Sequence, residues 1–235
     1  TVETDYPLVY KNNIYINDLR NCGEVNPADY DIFYNLDDAY ESNPENHFID
    51  SMLNRVFGNR VTALDRSPAL FTDANDRTLV DQDIKSIGAP YFAVHMRRWH
   101  WELKNISVDT WVDIFARVFA KRTDHKIVLV GGPTDYSLDH PLIVNYNAKY
   151  TPQQLAYFLD GAKCFVGIDS GPFQIAGASC THIIGLLTHI SPEHIMPIRR
   201  HDPGWNSTAI QAGVDCVGCN TRQQTPIRGI VCEKG

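Results

Sequence analysis

The chain has 235 residues, 43% hydrophobic and 21% charged, enough for a sizeable core in one large domain or two small ones. Its net charge of −7 excludes broad electrostatic binding to nucleic acid, although Arg97, Arg98 and Lys104 make a local basic patch. No apolar run is long enough to span a bilayer, no signal-peptide pattern opens the sequence, and six cysteines are too few for a disulfide-stapled scaffold, so a cytoplasmic location is expected.

Composition shifts near Pro90. Before it, polar and irregular sequence alternates with a few periodic segments. Residues 31–36 (DIFYNL) read as a strand. Residues 48–57 carry a helical stripe of Phe48, Ile49, Met52, Leu53, Val56 and Phe57. Residues 60–89 read as an Asp-rich connector of weak periodicity. The expected division is therefore a small N-terminal α/β unit over 1–89 and a larger, more regular α/β domain over 90–235.

After Pro90 strands and helices alternate. Residues 91–96 and 126–130 read as buried strands, the second closed by Gly131-Gly132-Pro133. Between them Ser107 caps a helix whose apolar face is Val108, Trp111, Val112, Phe115, Val118 and Phe119. A short strand at 142–144 follows, then a helix from Thr151-Pro152 through Leu155, Phe158 and Leu159. Strand 164–168, helix 171–179 and strand 182–187 complete the pattern. Such alternation predicts an α/β fold with a mostly parallel, Rossmann-type sheet covered on both faces.

The most informative stretch is 166–176 (VGIDSGPFQIA), a buried strand that turns through Ser170 and Gly171 into a helix. First-turn amides with no intrahelical partner suit a phosphate or diphosphate, and Asp169 ends the strand where open α/β sheets hold ligands. The plainer reading is an ordinary helix capped by Ser170. Lys104 and Arg97, just past another strand end, bring positive charge to the same edge; the alternative for each is a solvated surface residue. Trp99 and Trp101 beside them either stack on a base or sugar or pack against their own loop. Gln174, one turn into the helix, is expected to face the cleft with Asp169. Asp37 and Asp38 follow the 31–36 segment as a carboxylate pair able to accept a proton, or else as a solvated turn.

Cys22, Cys164 and Cys180 are scattered, the last two in apolar surroundings that suggest core residues. Cys216 and Cys219 have C-x2-C spacing, with a third cysteine at Cys232. A tetrahedral site needs four ligands, so this set reads as part of a structural zinc or iron site, as free thiols, or as one disulfide.

Together these elements resemble the glycosyltransferase family 9 enzymes, the heptosyltransferase-like group of GT-B fold. The resemblance rests on 167–172 (GIDSGP), similar to the family's G-x-D-S-G-P; on Lys104 ahead of a Trp-containing helix; on 127–133 (IVLVGGP), an apolar strand ending in a Gly pair; and on 216–219 (CVGC), close to the family's C-x-P-C. All four occur in the family's order, over residues 90–232. The chain departs from the family at Gln174, where His is usual, at Gly218, where Pro is usual, and at both ends, as in a shortened member or a piece of one.

The resemblance implies inverting transfer of a sugar from a nucleotide diphosphate donor, ADP-sugar-like, to a hydroxyl of a glycan, protein or modified nucleobase, with no cofactor or metal required for catalysis. It implies a donor site of Lys104, Arg97, Asp169, Ser170, Gly171, Gln174, Gly131 and Gly132. Two other classes stay open: another Rossmann-type nucleotide-sugar enzyme, weakened by the lack of G-x-G-x-x-G, and a non-catalytic nucleotide-sugar-binding protein.

Overall fold

The structure, a computed structural model, describes residues 1–40, 42–43, 45–58, 66–99, 104–188, 190–199, 206–211 and 213. Short strands β1 (Val2–Thr4) and β2 (Leu19–Asn21) pair in parallel, with a 3-10 turn at Pro7–Tyr10 between them. The 31–36 segment forms no strand. Ile32, Phe33, Tyr34 and Leu36 are exposed, and among the described residues no strand lies beside them to express their β-propensity.

Helix α1 (Phe48–Phe57) forms as expected, although its one fully buried residue is Ser51. His47 caps it. His47 Nδ1 accepts the Ile49 N–H at 3.2 Å while Nε2 lies 2.9 Å from the Met196 carbonyl, which can only accept. Those two roles need the neutral ring protonated at Nε2. Burial holds the His47 pKa below its ordinary value, outweighing the Met196 carbonyl and Asp50. A depressed histidine pKa gives stability that is full above about pH 6.5 and lost as pH falls through the folded value. Acidification from pH 7 to 5 is expected to release α1 from the 196 segment, seen as faster exchange of the Ile49 amide. Exchange protection that is unchanged over that range would refute the latch.

The expected connector contains a helix, α2 (Ala74–Ile87), capped by Asp73 and ended by Gly88 in the left-handed region at φ 67°. Only Val80 and Ile87 among its apolar residues are fully buried, so its amphipathic signal is thin; the Asp73 and Gly88 caps are the clearer sequence mark.

The remaining elements are β3 (Tyr91–Val94), α3 (Val108–Phe119), β4 (Lys126–Leu129), β5 (Ile143–Asn145), α4 (Pro152–Asp160), β6 (Phe165–Gly167), α5 (Gly171–Ala176), β7 (Ile183–Leu187), α6 (Pro192–Ile195) and β8 (Ser207–Gln211). Three caps read from sequence are present: Ser107 bonds Thr110 N, Ser170 bonds Phe173 N, and Thr151 makes a reciprocal box with Gln154. Helix α5 is shorter than the expected 171–179. Strand β8 gave no signal, because its side chains are mostly exposed.

The six strands β3 to β8 form one parallel sheet in the order β5-β4-β3-β6-β7-β8. Alternate side chains feed two cores. Tyr91, Ala93, Val128 and Phe165 pack with residues of α2, α4 and α5; Val94, Ile127 and Leu129 pack with Trp111 and Phe115 of α3 on the other face. Val112, expected on the buried face of α3, is exposed. Cys164 is half-buried and burial pushes its thiol up to about 11, as for an inert core cysteine, but Cys180 is exposed rather than in the core. Among the described residues no helix is long and apolar enough to cross a membrane.

Candidate functional site

From β3 the chain winds outward to β4 and β5, then returns to place β6 on the other side of β3. The gap between the carboxyl ends of β3 and β6 is therefore the topological switch point, where parallel sheets of this kind bind ligands. His95 and Arg97 follow β3, and Asp169 and Ser170 follow β6.

Lys104 reaches this gap from the loop before α3. Its Nζ lies 2.6 Å from Asp169 Oδ2, and both side chains are largely buried, 16% and 14% exposed. Arg97 Nη1 donates to the Asp169 carbonyl at 2.6 Å, and its guanidinium lies 4.8 Å from the Trp99 ring centre. Burial lowers the Arg97 pKa, opposed by Asp169 and Asp135, but an arginine stays charged. Ile168, Leu186, Thr188 and Ile190 close in around the Lys104–Asp169 pair and leave a narrow crevice without room for a water molecule.

Trp99 is 46% exposed, and Asn105 holds its backbone at both ends: Oδ1 accepts the Trp99 N–H at 3.0 Å and Nδ2 donates to the Trp99 carbonyl at 2.5 Å.

Behind the gap lies a hydrogen-bonded chain. His95 Nδ1 is 3.0 Å from Ser170 Oγ and His95 Nε2 is 2.9 Å from Asp135 Oδ2. Asp135 also accepts the Gly132 N–H at 2.7 Å and the Arg98 N–H at 2.9 Å. Burial alone would raise the Asp135 pKa; the bonds from His95, Arg98 and Gly132 together hold it below the ordinary carboxylate value. A Cβ on Gly131 would lie 2.7 Å from His95 Cδ2, and one on Gly167 would lie 3.4 Å from His95 Cβ. The two glycines are the walls of the histidine's slot.

The expected residues therefore divide. Arg97, Lys104, Asp169, Ser170 and Gly171 meet at the switch point. Gly131 and Gly132 serve the His95–Asp135 pair. Gln174 turns away: its Nε2 donates to the Ile195 carbonyl at 3.0 Å. Because α5 has six residues, Pro172 lacks an N–H and the Phe173 N–H is bonded to Ser170, its first turn offers an anion fewer donors than the sequence suggests. Asp37 and Asp38 lie in an exposed turn, Asp38 at φ 55°, and no bond among the described residues ties either carboxylate to the gap. Trp101, Cys216, Cys219 and Cys232 lie outside the described residues. Among those described, no group of three or more His, Cys, Asp or Glu is placed to hold a metal ion.

His95 and Asp135 carry no motif in the sequence. The available signal was an ionisable residue near the end of a strand that is otherwise apolar, and an acid just past the Gly-Gly turn.

A second groove, of about 360 Å³, lies between His47 and the 192–199 segment. Its cations are engaged: Arg66 Nη1 lies 2.6 Å from both Asp50 oxygens, and Arg199 bonds the Thr181 carbonyl at 2.7 Å. The switch-point cations are engaged too, by Asp169, so what distinguishes the switch point is its place in the sheet topology.

Comparison with known proteins shows a match of residues 110–223 to the model for glycosyltransferase family 9 (heptosyltransferase). No curated protein sequence matches the chain. Among solved structures it is similar to the glycosyltransferase family 9 protein from Veillonella parvula DSM 2008, at 16% identity and TM-score 0.58, over 71% of this chain and 49% of that one. It is similar to the E. coli ADP-heptose LPS heptosyltransferase II, at 14% identity and TM-score 0.56, over 77% and 58%. It is also similar to the dodecameric iron-containing heptosyltransferase TibC from enterotoxigenic E. coli H10407, solved with ADP-D-β-D-heptose, at 14% identity and TM-score 0.53, over 81% and 46%. At these identities the likeness shows the fold, an α/β architecture shared with GT-B enzymes. The chain spans about half the length of these structures.

Proposed function

We propose that the chain, whose residues 110–223 match the model for glycosyltransferase family 9, is a member of that family and transfers a sugar from a nucleotide diphosphate donor to an acceptor hydroxyl, with inversion at the anomeric carbon. The observation that carries the reading is the convergence of Lys104 and Asp169, 65 residues apart in sequence, at the switch point beside Arg97. Displacement of the sugar leaves negative charge on the diphosphate. Lys104 and Arg97 are placed to stabilise it as it develops, so the reading requires no metal for catalysis. Asp169 then orients Lys104 or accepts a sugar hydroxyl. An ADP-linked heptose or hexose is the proposed donor, in keeping with the ADP-heptose named for the similar structures. A glycan, a protein side chain or a modified nucleobase is the proposed acceptor class.

The attacking hydroxyl needs a base. Asp37 or Asp38 is proposed for it, since their exposed turn is open to an acceptor. We further propose the 1–89 segment as the acceptor side and 90–235 as the donor side. A zinc or iron ion on Cys216, Cys219 and Cys232 is proposed from the C-x2-C spacing alone; a metal assay with Cys216→Ser as control tests it.

Calorimetry with ADP-, UDP- and GDP-sugars, followed by product analysis with candidate acceptors, tests the function. The expected result is preferential binding of one donor and release of its nucleoside diphosphate on transfer. Asp37→Asn combined with Asp38→Asn should lower turnover and leave donor affinity intact. Binding without any turnover favours the non-catalytic reading, and absence of nucleotide-sugar binding contradicts both.

A further inference from the structure

His95, 2% exposed, is bonded at both ring nitrogens. Nδ1 lies 3.0 Å from Ser170 Oγ, which also accepts the Phe173 N–H at 3.4 Å and lies 2.8 Å from the Ile168 carbonyl. Nε2 lies 2.9 Å from Asp135 Oδ2, and the same carboxylate takes the Arg98 and Gly132 N–H groups. The groups that face or flank the ring are Asp135 from the β4–β5 turn, Ser170 from the start of α5, and Arg97 and Arg98 from the end of its own strand; Lys104 and Asp169 lie beyond Ser170.

We infer that His95 is a positioning residue of the donor site: bonded through both ring nitrogens, it clasps Asp135 and Ser170 and so sets the spacing of the Arg97–Arg98 loop and the Asp169–Ser170 turn. The first link runs from Asp135 Oδ1 to the Arg98 N–H, one residue from Arg97. The second runs through Ser170, one residue from Asp169. The two loops that carry the proposed diphosphate contacts are thus joined through one buried ring, which enforces a fixed gap between them. The part of this inference that concerns the donor rests on the function proposed above; the bridge through the ring does not.

Two measurements on the full chain test it. With ¹⁵N-labelled histidine and no ligand, the His95 ring resonances, assigned by their loss in His95→Gln, are expected to shift in Ser170→Ala and in Asp135→Asn. Resonances that move in neither variant would overturn the clasp.

Calorimetry with ADP, UDP and GDP then measures affinity in the unaltered chain, His95→Phe, His95→Gln and Ser170→Ala. For the nucleotide that binds, His95→Phe is expected to weaken binding about 10-fold or more. His95→Gln should recover part of the loss, and Asp135→Asn should add little in the His95→Phe background. If His95→Phe does not fold, Ser170→Ala breaks the same chain at its other end and is expected to weaken binding likewise. Affinity unchanged in these variants, whatever their melting temperatures, overturns the inference alone. Failure of the unaltered chain to bind any of the three nucleotides overturns the donor reading and the positioning role together.

Discussion

A Lys104→Ala chain is expected to bind its nucleotide donor about 100-fold more weakly than the unaltered chain. The side chain is largely buried and its ammonium lies 2.6 Å from Asp169 Oδ2. A hydrogen bond to a charged group contributes about 1.5–3 kcal/mol, and each 1.4 kcal/mol is tenfold in affinity. Removal of the lysine also leaves the Asp169 carboxylate facing an anionic ligand. The fold should suffer too, since a largely buried carboxylate without its partner is destabilising.

A second substitution separates the two effects. Adding Asp169→Asn to Lys104→Ala removes the unpaired charge and should recover most of the lost thermal stability. Donor affinity should not return. Recovery of both together would mean that the ion pair is a structural device and that the ligand binds elsewhere.

Gly131→Ala is expected to destabilise the fold by about 2–4 kcal/mol, a fall in melting temperature of roughly 5–15 °C for a chain of this length. The added Cβ would lie 2.7 Å from His95 Cδ2 and press on Asp135 Oδ2, so the buried pair must part or β4 must shift. Its neighbour is the control. A Cβ on Gly132 would meet Asp135 Oδ2 at 3.6 Å, ordinary contact, so Gly132→Ala should stay within about 0.5 kcal/mol of the unaltered chain. Equal thermal effects at the two positions, measured by calorimetric melting, would contradict the slot described for His95.

The six-stranded sheet is legible in the sequence because local signals agree there. Buried β strands are short apolar runs, and Ser107, Thr151 and Ser170 announce their helices through caps that the structure contains. The convergence of Arg97, Lys104 and Asp169 followed from placing each just past a strand end. What was missed depends on distant partners. The 31–36 run has the composition of a strand but no strand to pair with, and α2 buries too little apolar surface to show a clear period. The bond between His95 and Asp135 joins residues 40 apart, and no spacing rule reports it. Gln174 has the expected helical position, but the Ile195 carbonyl takes its amide. Cys180 has apolar neighbours in sequence and yet lies exposed after α5, its N–H bonded to Asp160.

A crystal of the full chain soaked with the nucleoside diphosphate that binds in solution decides where the donor sits. A diphosphate is expected across the ends of β3 and β6, with Lys104 Nζ drawn from Asp169 toward a phosphate oxygen and the Arg97 guanidinium within hydrogen-bonding distance. A nucleotide lodged in the groove beside Asp50 and Arg66, with the Lys104–Asp169 pair undisturbed, would contradict that placement.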